Sequence, residues 1–112
     1  MKQVIAFIPP QQVEKVLEAL DRIPVRGLSL HEVRGFGRGR VQLLREGSSV
    51  PVRQFSVKVR LEIICRDDEA EEIARTIQRA AHTGRPGDGK IFIAPIERAI
   101  SIVTGEEDDA AL

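Results

Sequence analysis

Tryptophan and tyrosine are absent from this chain, and phenylalanine occurs four times. So few rings cannot supply the successive stacking platforms that single-stranded nucleic acid needs. Surplus positive charge is absent too: 17 Lys and Arg balance 17 Asp and Glu. No electrostatic footprint therefore argues for nucleic acid as a partner. The single cysteine, Cys65, excludes an intrachain disulfide. Its place in an apolar run suits a buried thiol and a reducing, cytoplasmic setting. No apolar run is long enough to span a bilayer, and that of the opening MKQVIAFIPP is too short for a signal peptide. The only histidines, His31 and His82, lie far apart, so a metal cluster is not expected.

What is present reads as one domain, since 112 residues suffice for one core and not for two. Residues 2–8, KQVIAFI, predict a strand that Pro9 and Pro10 end. Residues 10–23 predict a helix, with Val13, Val16, Leu17, Leu20 and Ile23 on one face. Residues 28–36 predict a second strand. Residues 37–54, rich in glycine and serine, predict a long loop enclosing at most a short ribbon, and a loop of that length points to function. Phe55, Val57, Val59, Leu61, Ile63 and Cys65 alternate with Ser56, Lys58, Arg60 and Glu62, the period of a half-buried strand. Asp67 or Asp68 is expected to cap a helix running to about His82, with Ala70, Ile73, Ala74, Ile77 and Ala81 as its apolar stripe. A strand then follows residue 90, and a last short strand is expected near Ala99–Val103. The tail, residues 104–112, is acidic and is expected to fray. The order β-α-β-loop-β-α-β is that of the ferredoxin-like α+β fold, an antiparallel sheet with two helices on one face. Its mixed outer face, with Lys58, Arg60, Glu62 and Ile64, suits packing in an oligomer.

The stretch TGRPGDGKIF, Thr83–Phe92, almost spells a P-loop. Gly84, Gly89 and Lys90 fit, but Ile91 stands where that motif needs Ser or Thr for magnesium. The loop also leaves a helix and enters a strand, so no helix amino terminus backs it. Two readings stay open. Gly87 and Gly89 permit backbone N–H groups to converge on an anion, with the Lys90 ammonium beside them. Equally, Gly84 caps the helix and residues 86–89 form an ordinary turn. A second basic, glycine-spaced segment, Val33–Arg40, carries Arg34, Arg38 and Arg40 between Gly35, Gly37 and Gly39. Two such loops could meet around one polyphosphate; each equally reads as a solvated turn.

These residues resemble the PII signal-transduction family. Its E-V-(K/R)-G-F-G-R strand end stands here as Glu32–Arg38, and its T-G-x-x-G-D-G-K-I-F as Thr83–Phe92. Its closing P-(I/V)-E and T-G-E stand as Pro95–Glu97 and Thr104–Glu106. The resemblance covers the whole chain. It implies a homotrimer with adenine nucleotide in each inter-subunit cleft. The phosphates would lie against Gly87, Asp88, Gly89 and Lys90, and the adenine end against Phe7, Ser29, Glu62 and Ile64. Gly37 and Arg38, following Gly35 and Phe36, would close over the phosphates. Residues 82–90 would be the phosphate loop and 37–54 the switch loop acting on a partner, a membrane transporter or a metabolic enzyme.

The departures from the family pattern are informative. Gly39 replaces a Gln that helps hold magnesium and 2-oxoglutarate. Ser101 and Val103 replace two arginines that reach a neighbour's nucleotide. Pro51 replaces a tyrosine that some members have uridylylated. Losing two cations disfavours ATP most, because each charge-assisted contact contributes roughly 1.5–3 kcal/mol. The expected ligands are therefore ADP or AMP, with ATP admitted. A second small anion is expected at Gly39, Arg40 and Lys58. Bicarbonate fits, because carboxysome-associated family members respond to it. The alternatives are a nitrogen-regulating, 2-oxoglutarate-sensing member, a small nucleotide-hydrolysing enzyme, or a trimer whose site has decayed. No nucleophile and base stand together in sequence, so a regulator is expected and not an enzyme.

Overall fold

The computed structural model describes residues 1–35, 41–43, 51–53 and 56–112. Strands β1 (Lys2–Ile8), β2 (Ser29–Gly35), β5 (Ser56–Cys65) and β6 (Lys90–Pro95) form one antiparallel sheet in the order β2-β5-β1-β6. Helices α1 (Val13–Leu20) and α2 (Ala70–Ala81) lie side by side on one face of it. Strands β3 (Val41–Leu43) and β4 (Pro51–Arg53) pair as a separate antiparallel ribbon. The architecture is the ferredoxin-like α+β sandwich. The ribbon lies inside the segment whose glycines predict a loop. The other residues of that segment, and with them Phe36, Gly37, Arg38, Gly39 and Arg40, lie outside the described residues.

Alternation in β1 and β5 builds the core. Val4, Ala6 and Ile8 face the helices from β1; Val59, Leu61, Ile63 and Cys65 face them from β5. Against these pack Val16 and Leu20 of α1 and Ile73, Ala74, Ile77 and Ala81 of α2. Cys65 is buried there as a free thiol whose Sγ donates to the Lys2 carbonyl at 3.7 Å. Burial raises its pKa above the ordinary thiol value. The inward parity fails at the strand's start, where Val57 is 45% exposed.

Four boundaries differ from the sequence expectation, each for a local reason. The helix expected over residues 10–23 is α-helical only from Val13; Pro10–Gln12 form a 3-10 turn entered from extended Pro9. Neither Asp67 nor Asp68 caps α2, which a 3-10 turn over Asp67–Glu69 precedes. Glu69 instead accepts from the Arg66 N–H at 3.2 Å, and Asp67 accepts from the amino terminus of Met1 at 2.7 Å. No strand forms at Ala99–Val103. Only a single bridge joins Ile100 to Glu107, and Ser101 N–H to Glu106 O (2.9 Å) closes a tight loop between them. The tail is folded as well: Asp108–Ala111 form a 3-10 turn, Asp108 N–H donates to Ala99 O at 2.9 Å, and Arg98 pairs with Glu107 at 2.7 Å.

Leu61 sits at the centre of the sheet, with Ala6 and Leu30 as its cross-strand neighbours, and is wholly buried. Leu61→Ala should therefore lower unfolding stability by about 2–5 kcal/mol in urea titration, the range for a leucine cavity. A loss under about 1 kcal/mol would contradict the packing described.

Candidate functional site

The sheet face turned away from the helices gathers residues that are scattered in sequence. Register places Ser29, Glu62, Ile5 and Phe92 in one cross-strand row, and His31, Arg60, Phe7 and Lys90 in the next. Val33 opposite Lys58, and Gln3 between Ile64 and Ala94, flank these rows on the same face. Phe7, Ser29, Glu62, Ile64, Lys58 and Lys90 thus share one surface, and Gly35 ends β2 at its edge opposite Ser56. Ser29, Glu62 and Ile64 line a cleft of about 370 Å³ with Arg26, Leu28 and Leu112. Lys58 and Gly87 line another of about 390 Å³ near the far end of β5. From Glu62 to Lys58 is four strand steps, about 13 Å, which an extended mononucleotide can bridge.

Arg60 lies between the two clefts. Its Nε donates to Glu62 Oε1 at 2.5 Å, and its guanidinium sits 5.6 Å from the centre of the Phe7 ring. The Phe7 ring meets Phe92 edge to face at 6.3 Å. Aromatic and cationic groups here hold one another in place with geometry favourable to both. Sequence reasoning assigned Arg60 no site role. The signal available was its two-residue spacing from Lys58 and Glu62, which puts all three on one face.

The glycine loop, Thr83–Gly89, is held at two points. Gly89 has φ +102, and a β-carbon there would lie 1.8 Å from the Phe7 carbonyl oxygen, so only glycine permits this approach to β1. Asp88 provides the second hold. Its carboxylate accepts from the Thr83 hydroxyl, from Thr83 N–H at 2.8 Å and from Gly84 N–H at 2.9 Å. These bonds, the Thr83 hydroxyl foremost, keep the Asp88 carboxyl below its ordinary pKa of 3.8. Asp88 therefore fixes the loop's own shape. Gly84, with φ +84, is not the helix cap either: α2 ends at Ala81 with extended His82 as its C-cap. Gly87, φ +97, turns its carbonyl to Lys58, whose Nζ donates to it at 2.6 Å. A strand cation is thereby tied directly to the loop.

Among the described residues, no group of three or more His, Cys, Asp or Glu is placed to hold a metal ion. Among them also, no helix is long and apolar enough to cross a membrane. The carboxyl-terminal loop presents apolar groups where the resemblance expected cations. Ile102 is 100% and Val103 93% exposed, while Ser101 Oγ accepts from Thr104 N–H at 3.4 Å.

Comparison with known proteins agrees with this architecture. The family described as Nitrogen regulatory protein P-II matches residues 1–106. The Escherichia coli nitrogen regulatory protein GlnK is 45% identical over 114 aligned positions, covering all of both chains. Nitrogen regulatory protein P-II of Azospirillum brasilense is 40% identical, again over both full lengths. Among solved structures, Arabidopsis thaliana PII bound to citrate superposes with a TM-score of 0.80 at 34% identity, over 99% of this chain and 91% of that one. The chain belongs to the nitrogen regulatory protein P-II family. It is a signalling regulator of that class, as the resemblance implied.

Both holds on the glycine loop are open to test by amide hydrogen exchange. Because folding lowers the Asp88 pKa, its clamp contributes above the ordinary carboxylate range and is lost as pH falls through the lowered value. Protection of the Thr83 and Gly84 amides should thus persist at about pH 4 and disappear on further acidification. Asp88→Ala should remove it at every pH. Gly89→Ala should expose the whole loop while leaving β5 protected. Unchanged exchange in either variant would show that the contact does not hold the loop.

Proposed function

We propose that this P-II protein senses adenine nucleotides at clefts between subunits of a homotrimer, taking ADP or AMP at least as well as ATP. The observation that carries the reading is the shared sheet face of Phe7, Ser29, Glu62, Ile64 and Lys90, with the glycine loop docked on the Phe7 carbonyl at its end. In this reading the adenine rests by Ser29, Glu62 and Ile64. The phosphates extend toward the Gly87–Gly89 amides and the Lys90 ammonium, with Asp88 shaping the loop beneath them. Gly35, Phe36, Gly37 and Arg38 complete the pocket's other wall. The uncovered apolar groups Leu28, Leu30, Phe92, Ile100, Ile102 and Val103 suit burial against neighbouring subunits.

A second small anion sits at Lys58 beside Gly39 and Arg40, and bicarbonate is the favoured candidate. Lys58 keeps two ammonium protons after its bond to Gly87. The citrate held by the Arabidopsis thaliana relative shows an organic anion bound within the same fold. The span 37–54 then reports which ligands are bound to a partner, a membrane transporter or a metabolic enzyme. The regulator acts by docking, without turnover, in the cytoplasm.

Isothermal titration with ADP, AMP and ATP, with and without magnesium, tests the nucleotide reading. ADP or AMP should bind at least as tightly as ATP, without turnover. Lys90→Ala should weaken ADP by about 10- to 100-fold, the worth of one charge-assisted contact. Light scattering should return three times the 12.4 kDa chain mass. A magnesium-dependent preference for ATP, nucleotide hydrolysis, silence towards all three nucleotides, or a monomer would each refute it.

A further inference from the structure

Arg60 grips two residues of the candidate nucleotide face yet lines neither of its clefts. The two-residue period of β5 puts it beside Glu62, and register sets it opposite Phe7 of β1. Its Nε donates to Glu62 Oε1 at 2.5 Å, and its guanidinium stands 5.6 Å from the centre of the Phe7 ring. Phe92 braces that ring edge to face. A cation held at two points has a fixed place, and so has the carboxylate it grips. Arg26, the cation that lines the Glu62 cleft, pairs instead with Glu69 at 3.2 Å.

One carboxylate oxygen of Glu62 is thus taken. Among the described residues its other oxygen, Oε2, makes no hydrogen bond. The side chain is 31% exposed and borders the cleft together with Ser29 and Ile64. An ionised carboxylate only accepts, and with both oxygens open it takes two parallel N–H donors. Guanine offers that pair, its N1–H and 2-amino group side by side. Adenine offers its donors from one atom, the nitrogen of the 6-amino group. With Oε1 covered by a guanidinium, a two-donor edge is left one acceptor short. A single amino group loses nothing.

We infer that Arg60 is a positioning residue that sets base selectivity: by covering Glu62 Oε1 it leaves one open acceptor, which suits adenine and rejects guanine. This rests on the nucleotide reading given above, in which the base lies by Glu62, and adds the residue that tunes it. No bond is made or broken, and Arg60 acts through the carboxylate without touching the ligand.

Calorimetric titration of the full chain with ADP, GDP, inosine diphosphate and 2′-deoxy-ADP tests this. The wild-type protein should bind ADP about tenfold or more tightly than GDP, the worth of a donor left unpaired against a charged partner. It should bind GDP and inosine diphosphate within about twofold of each other, because one acceptor gains nothing from the 2-amino group that inosine lacks. Arg60→Met opens both oxygens. GDP should then tighten by about tenfold and draw ahead of inosine diphosphate, while ADP changes by less than about threefold. A residue that merely supports the fold would instead weaken both nucleotides in parallel. Arg60→Lys keeps a cation for the same oxygen and for the Phe7 ring, so it should retain the wild-type preference. Should Arg60→Met fold poorly, the wild-type comparison of GDP with inosine diphosphate still decides. Equal wild-type affinity for ADP and GDP, a wild-type preference of about tenfold for GDP over inosine diphosphate, or parallel losses in Arg60→Met would each overturn the role of Arg60 and leave the nucleotide reading standing. So would a gap only between ADP and 2′-deoxy-ADP, which puts the carboxylate on the ribose. Silence towards all four nucleotides removes the nucleotide reading and this inference with it.

Discussion

Strand β5 is the constraint on which core and site both depend. Its period of two sends Val59, Leu61, Ile63 and Cys65 into the helical layer and Lys58, Arg60, Glu62 and Ile64 to the opposite face. A slip of one residue in its register would exchange the two sets. The apolar set resists that slip strongly, because burying one such side chain is worth about 1.5–3 kcal/mol. The polar set is therefore positioned at no separate energetic cost. The central place of β5, between β1 and β2, extends the effect: Phe7, Ser29 and His31 take their facing from the same pairing.

Under the proposed function the glycine loop adds what a sheet cannot supply, backbone amides for an anionic ligand. Its two holds differ in kind. The close approach of Gly89 to the Phe7 carbonyl is steric and independent of pH. The Asp88 clamp is electrostatic, and its stability depends on ionisation. Between them the Gly87 corner is tied to β5, where Lys58 Nζ donates to its carbonyl. A loop shaped from within can present N–H groups to an anion with little reordering on binding, which is where much affinity is otherwise lost.

Sequence alone reveals the elements with strong periodicity. The alternation from Val57 to Cys65 and the stripe from Ala70 to Ala81 correspond to β5 and α2, and the two glycine motifs point to the family. What it conceals depends on tertiary partners. Asp67 looks like a helix cap, yet the Met1 ammonium, distant in sequence, offers a stronger partner than the orphan helix amides. Ala99–Val103 reads as a strand by composition, but the bend at Gly105 folds it onto Glu106 and Glu107 before it can reach the sheet. The acidic tail looks ready to fray until Arg98 and the Ala99 carbonyl pair with it. Asp88 is the instructive case at the site. Its motif marks it as important, but its bonds to Thr83 and Gly84, which make it a strut of the loop, exist only in three dimensions.

Under the proposed function, charge economy links these features. The cations Lys58, Arg85 and Lys90 cluster around the glycine loop, and the carboxyl-terminal loop adds none, presenting Ile102 and Val103 instead. Two anionic ligands near one another repel, and the repulsion grows with phosphate number; at about 5 Å and an effective dielectric of 20 it is roughly 3 kcal/mol per unit charge pair. With few cations among the described residues, such a site can hold a second anion beside AMP or ADP more readily than beside ATP. Linkage makes the effect reciprocal: whatever a second anion does to nucleotide affinity, the nucleotide does to the anion by the same factor. Lys58 is the physical carrier, because its ammonium already bonds the Gly87 carbonyl and has protons left for an anion. The arrangement therefore favours a sensor that reads the low-phosphate nucleotide and the small anion together, and disfavours one that reads ATP with a dicarboxylate.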